Sequence, residues 1–131
     1  MNSIPGQISN IETEGSFLLI SIKAGEDSFK SIIIQNGAEM YAEGDQVLLH
    51  FKETEVSLAT KKIPEISLQN QLEGTIKKIA YDRIMCRVQL ETQHGLLSSI
   101  ITAASANRLG LQEGVTAVAL IKTNEVMLSK A

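Results

Sequence analysis

The sequence predicts an all-β chain, a tandem of two small barrels, and three observations carry that prediction. The chain is written twice. Gly6, Ile8 and Ile11 recur as Gly74, Ile76 and Ile79, and Ser31, Ile32 and Ile33 recur as Ser99, Ile100 and Ile101, both at a shift of 68. Glu43, Gly44, Lys52, Glu55, Val56 and Leu58 then recur as Glu113, Gly114, Lys122, Glu125, Val126 and Leu128 at a shift of 70. Within each copy, apolar and polar residues alternate with the two-residue period of strands. Turn-forming residues punctuate these runs at short intervals.

The second copy reads as five strands. Leu72, Gly74, Ile76, Lys78 and Ala80 share one side of the first, with polar Lys78 weakening the pattern. Ile84, Cys86, Val88 and Leu90 form a cleaner apolar face opposite Arg83, Arg87, Gln89 and Glu91. Leu96–Thr102, Val115–Lys122 and Glu125–Ser129 supply the third, fourth and fifth strands, separated by Tyr81-Asp82, Gln93-His94-Gly95, Glu113-Gly114 and Thr123-Asn124. Between the third and fourth lies the one helical signal: Ser105 as a cap, a turn through Ala106–Leu109, and Gly110 as the stop. The first copy repeats the strands at about 4–12, 16–23, 28–35, 45–52 and 55–60, and its segment Asn36–Tyr41 has lost the cap. Five short strands with a small helix between the third and fourth describe an OB-fold-like Greek-key β-barrel. Residues 1–63 and 64–131 are the expected domains, joined by Lys61-Lys62-Ile63-Pro64-Glu65, where Pro64 lacks the N–H of a central strand.

Composition narrows the function classes. Each copy of about 65 residues is small for an independent core and should lean on its twin or on other chains. A single cysteine, Cys86, cannot form an internal disulfide, and no apolar run reaches 18 residues, so a cytoplasmic protein with no membrane segment is expected. Residues 1–64 carry five lysines and nine acids, a balance of −4, and residues 65–131 carry seven basic residues and six acids, a balance of +1. An anion should prefer the second half. Nucleic acid is disfavoured, because the chain is acidic, has only five aromatic residues, and groups Lys77, Lys78, Arg83 and Arg87 as a solvated face. His50 and His94 lie in different copies without metal-ligand spacing, Cys86 lies on an apolar face, and no phosphate loop or nucleophile elbow is present. A binding protein rather than an enzyme is the expectation.

The candidate site is Thr102-Ala103-Ala104-Ser105-Ala106-Asn107. The two-residue change in the repeat shift places a deletion of the first copy opposite it. Two hydroxyls and the backbone N–H groups of Ala106 and Asn107 at a helix start suit an oxyanion, and the small Ala103-Ala104 pair lets a ligand approach the backbone. Lys122, ending the fourth strand, is expected beside this loop as the counter-charge.

Three segments together resemble one family: Asn70-Gln71-Leu72-x-Gly74, then Ile101-Thr102-x-x-Ser105-x-x-x-Leu109-Gly110-Leu111-x-x-Gly114, then Ala119-x-Ile121-Lys122-x-x-x-Val126. This order and spacing resembles the Mop domain of molybdate-binding proteins (molbindins, with TOBE-like domains) over residues 67–131. The first copy resembles a degenerate Mop domain, opening Pro5-Gly6-Gln7-Ile8-Ser9-Asn10-Ile11-Glu12 like the second Mop unit of molybdate-responsive regulators. The resemblance implies binding of molybdate or tungstate for storage, homeostasis or sensing. It implies sites between subunits of a homo-oligomer, a trimer of di-Mop chains or a dimer. Its implied donors are Ser67, Asn70, Thr102, Ser105 and Lys122, with the backbone at Ala103 and Ala106. Gln69 stands where the family has arginine, which leaves the site less cationic. The alternative it implies is a ligand-sensing module like that of a molybdate-responsive regulator or a molybdate transport ATPase.

Overall fold

The computed structural model describes residues 1–35 and 40–131 of the chain. The expectation for the first-copy segment 36–41 falls largely outside the described residues. Among the described residues, ten strands and one α-helix follow the predicted order: β1 (Asn2–Glu14), β2 (Phe17–Ala24), β3 (Asp27–Ile34), β4 (Gln46–Phe51), β5 (Ser57–Ala59), β6 (Asn70–Tyr81), β7 (Met85–Thr92), β8 (Gly95–Thr102), α1 (Ala103–Arg108), β9 (Thr116–Ile121) and β10 (Met127–Lys130). Short 3-10 turns at Glu53–Glu55 and Thr123–Glu125 precede β5 and β10. Glu125 thus belongs to a turn and not to the fifth strand, and Ile84, 64% exposed, lies ahead of β7 and not on its buried face.

The strands form two curled five-stranded sheets, and each sheet borrows its last strand from the other copy. One runs β10-β4-β1-β2-β3 and the other β5-β9-β6-β7-β8. The expected tandem of five-stranded units is present, and the last strands cross over: β5 pairs with β9 through Ser57↔Leu120 and Ala59↔Val118, while β10 pairs with β4 through Met127↔His50 and Lys130↔Val47. The physical cause is local. Each 3-10 turn carries the chain away from its own sheet, the Glu53–Glu55 turn packing on β8 and the Thr123–Glu125 turn on β3.

Buried hydroxyls lock the exchange. Ser31 Oγ donates to the Val126 carbonyl and Ser99 Oγ to that of Val56, both at 2.7 Å. These are equivalent bonds in the two copies, and each spans the copies.

The long first strands bend at equivalent bulges, between Ile8 and Asn10 and between Ile76 and Lys78. A bulge adds one residue and flips the alternation beyond it. That explains Lys78: it and Ala80 are exposed, and Ile79 turns partly inward instead. The core joins both copies, with Ile4, Ile20, Ile22, Val47 and Phe51 in one contiguous cluster with Ile76, Val88, Leu90, Leu97 and Ile121. Burying large aliphatic side chains at about 1.5–3 kcal/mol each is the principal stabilising term, and here neither copy collects it alone. The linker is held by Gln71, whose side chain accepts from Ile63 N–H at 2.8 Å and donates to Ile63 and Leu68 carbonyls.

Candidate functional site

The Thr102–Ser105 loop leaves the open end of β8, an edge strand whose Thr102 is in register with Met85 of β7. Ala103 N–H donates to the Ile84 carbonyl at 2.9 Å and pins the helix start to the preceding turn. The cap is Thr102, not Ser105. Thr102 is extended (φ −71°, ψ 147°), and its Oγ1 accepts from Ser105 N–H at 3.1 Å. Helix α1 therefore starts three residues earlier than the sequence predicts. Ala106 becomes the fourth helical residue, 0% exposed, with its N–H directed into the helix. Gly110 ends the helix with φ +66°, as expected.

The two hydroxyls have different jobs. Thr102 Oγ1 also donates to Ser105 Oγ at 2.9 Å, so its own hydrogen is spent inside the loop. Ser105 Oγ accepts that bond, and its own hydrogen is not used in it. Both hydroxyls stand at the surface. Neither hydroxyl lines the two clefts that touch other candidate residues. One of about 570 Å3 is lined by Ile79, Tyr81, Ala106, Asn107 and Gln112, and one of about 820 Å3 runs past Glu26, Lys62, Ile66 and Gln69 along the linker.

The remaining expected donors gather at the opposite end of β6. Asn70 opens β6 in register with Ile121, which puts exposed Ser67 and Gln69 beside Lys122. The Thr102 loop belongs to the other end, where Tyr81 pairs with Cys86. Lys122 is thus not beside the loop within one chain, contrary to expectation. Its turn packs against β3 of the first copy. Asn70 is 1% exposed, and its amide is fully engaged: Nδ2 donates to the Lys30 carbonyl at 2.8 Å and Oδ1 accepts from Lys30 N–H at 2.7 Å. Asn2 repeats this clamp on Ser98, both contacts at 2.8 Å, and its equivalence to Asn70 at a shift of 68 was the signal that could have found it.

Around these residues the charges are organised by the turns. Glu125 is held above the usual carboxylate range, chiefly by its hydrogen-bonding contact with the Glu55 carboxyl, then by burial and by the Glu55 charge, with Lys122 opposing. Glu53 is lowered by the hydrogen bond from its own backbone N–H, with the Met1 ammonium and Arg87 adding to it. Burial pushes the Cys86 thiol up, and at 1% exposed it is core. His94 Nε2 lies 2.6 Å from Asp27 Oδ2, and His50 Nε2 lies 2.7 Å from Ser129 Oγ. Among the described residues no group of three His, Cys, Asp or Glu side chains is placed to hold a metal.

The TOBE domain family matches residues 66–128. Molybdenum-pterin-binding protein 1 of Clostridium pasteurianum is 38% identical over 64 residues, which are 48% of this chain and 94% of that protein. This chain belongs to the Mop-type, TOBE-domain family. The Mop-type likeness extends beyond one repeat. Molybdenum-pterin-binding protein MopB of Rhodobacter capsulatus is 33% identical over 108 residues, 80% of this chain, and the alignment spans 40% of MopB. The chain therefore spans less than half of that relative. Among solved structures, the cytoplasmic molybdate-binding protein ModG, in a form with molybdate bound, superposes with a TM-score of 0.93 at 27% identity. That Mop-type superposition covers 99% of this chain and 96% of ModG. No helix among the described residues is long and apolar enough to cross a membrane.

Proposed function

We propose that this chain is a non-enzymatic, cytoplasmic binding protein for molybdate or tungstate, serving storage, homeostasis or sensing, with the Thr102–Ser105 loop at the centre of its site. One observation carries the reading: an exposed pair of hydroxyls beside small alanines at a helix start, in a chain that superposes over 99% of its length with a molybdate-bound protein. A tetrahedral dianion gives up much hydration on binding and needs several preorganised donors. Ser105, the backbone at Ala103 and Ala104, and Thr102 as their positioning cap provide part of such a set.

In this reading residues 1–63 are a degenerate Mop domain and 64–131 an intact one. Because the loop is exposed and Ser67, Gln69 and Lys122 lie at the far end of β6, the site is completed by a second chain, in a homo-oligomer of two or three chains. Asn70 and Ala106 act from behind, holding the backbone from which those donors project. A sensing module within a longer protein is the second reading, favoured by the greater length of MopB.

Calorimetry with four anions tests the proposal. Molybdate and tungstate should bind, sulfate more weakly because it is smaller, and phosphate least because its partial protonation brings a donor to a donor-only site. Absence of molybdate binding, or equal binding of all four anions, would end it.

A further inference from the structure

We propose that the end of the first copy where β1 turns into β2 is a ligand-independent assembly surface, covered head to tail by the opening end of β1 on a second copy of this chain. The contact lies outside the oxyanion loop and does not need that reading to hold.

Three strands carry the surface. The ladders align Glu12 with Leu19 and Leu19 with Ile32, and in the next row Glu14 with Phe17 and Phe17 with Ile34. Residues in direct register share one face of a sheet. Four apolar side chains therefore lie together, with a carboxylate heading each row. Phe17 is 54% exposed, Ile34 65% and Ile32 37%. A cleft of about 450 Å3 opens among Glu12, Glu14, Phe17, Leu19 and Ile32. At a shift of 68 the same rows in the second copy read Ala80, Arg87, Ile100 and Asp82, Met85, Thr102. Arg87 and Thr102 interrupt the apolar rows there. In the first copy both rows are apolar and open to solvent, which marks a contact surface.

The opposite end of β1 carries the complement. There Asn2 pairs with Phe51, and Lys52 follows directly. Lys52 is exposed and forms no ion pair among the described residues, while neighbouring Glu53 is taken by Arg87 and the Met1 ammonium. Met1, at this same end, is 64% exposed. An adaptable methionine and an unspent ammonium suit an apolar cleft edged by two carboxylates. The two surfaces sit at opposite ends of one strand and cannot meet within a chain. Glu12 and Glu14 would also repel their own copies across a twofold contact, so the pairing is heterologous.

Velocity sedimentation over a concentration series, without molybdate, tests the contact. The samples are the full chain, Ile34→Asp, Ile34→Thr, Glu14→Lys, Lys52→Glu, and a chain with both charge reversals. The parent should assemble. Ile34→Asp puts a charge among the apolar rows and should weaken assembly about tenfold or more, as should each single charge reversal. The doubly reversed chain regains opposite charges across the contact and should return to within about threefold of the parent. Lys52→Glu keeps the turn, because only the backbone N–H of Lys52 donates to Glu55 Oε1. Ile34→Thr, the second copy's own residue at this position, should weaken assembly too and replaces Ile34→Asp if melting curves show that variant unfolded. A monomeric parent, assembly unchanged by substitution of Ile34, or a doubly reversed chain no better than the single reversals overturns the proposal. With molybdate absent, none of these results depends on the oxyanion site, and loss of molybdate binding would leave them standing.

Discussion

Asn70 grips the backbone of Lys30 with both ends of its side-chain amide, at 2.8 Å to the carbonyl and 2.7 Å from the N–H, and so ties the opening of one repeat to the third strand of the other. The contact satisfies two edge-strand groups that the β2–β3 ladder leaves over. It makes Asn70 a structural residue first, whatever its proximity to ligand.

Asn70→Ala should therefore destabilise the chain by about 2–4 kcal/mol, since it deletes two hydrogen bonds and leaves their backbone partners unmet. Asn2→Ala, which removes the equivalent clamp on Ser98, should cost a similar amount. Chemical denaturation measures both. A loss below about 0.5 kcal/mol for each would show that water replaces the amide without penalty.

The two loop hydroxyls should separate in their effects. Ser105→Ala removes the hydroxyl whose hydrogen is unused in that pair and should cost molybdate binding about 1–3 kcal/mol with little change in stability. Thr102→Val removes the cap as well and should lower stability by about 0.5–2 kcal/mol besides weakening binding. Thr102→Ser, which keeps the oxygen, should restore both. Paired calorimetry and melting curves read the outcome, and a Thr102→Ser variant as weak as Thr102→Val would contradict the capping role.

Acidity should act on the two 3-10 turns with opposite signs. Glu125 has a raised pKa in the folded chain, so folding favours its protonated form, and the stability it contributes is present in acid and lost as pH rises through its folded pKa. Glu53 has a lowered pKa, so its contribution is present above the ordinary carboxylate range and lost as pH falls. Glu125→Gln should raise the melting temperature at pH 7, with the gain disappearing near pH 4, while Glu53→Gln should lower it at pH 7 and matter less in acid. A Glu125→Gln chain less stable than the parent at pH 7 would show that the carboxylates do not repel.

Gly74 should not tolerate a side chain. A Cβ there would sit 2.8 Å from the Glu91 carbonyl oxygen and 3.0 Å from Thr92 Cγ2. The first of these contacts is backbone and cannot swing away. Gly74→Ala should cost about 1–3 kcal/mol through this overpacking, measurable by urea denaturation. An unchanged midpoint would mean that β6 and β7 can separate freely at this point.

The strands and the repeat were legible because alternation and turn residues are local properties. Even the bulges left a trace, in Lys78 occupying an apparently inward position. The exchange was not legible. Ser57–Ala59 and Met127–Lys130 are short, and their alternation fits either sheet equally well; only tertiary packing of the preceding turns decides. The expectation of Lys122 beside the loop fails at that one hidden step, because its turn packs on β3 instead. The cap was misread for a different reason: Thr102 and Ser105 can both cap a helix, and the choice is made by the bond from Ala103 N–H to the Ile84 carbonyl, a contact across the sheet.

Reciprocal lending of a final strand is the geometry of a swapped homodimer, here with the two partners on one chain and joined by residues 61–65. In a dimer of identical subunits every substitution is made twice, so a loop lost from one face is lost from the other, and both sites go together. Covalent joining removes that constraint. The lender of a strand can give up its own polar loop and still serve as scaffold for its twin. The contrast between Ile34 on one face and Thr102 on the other is a divergence open only to halves that no longer share a gene segment.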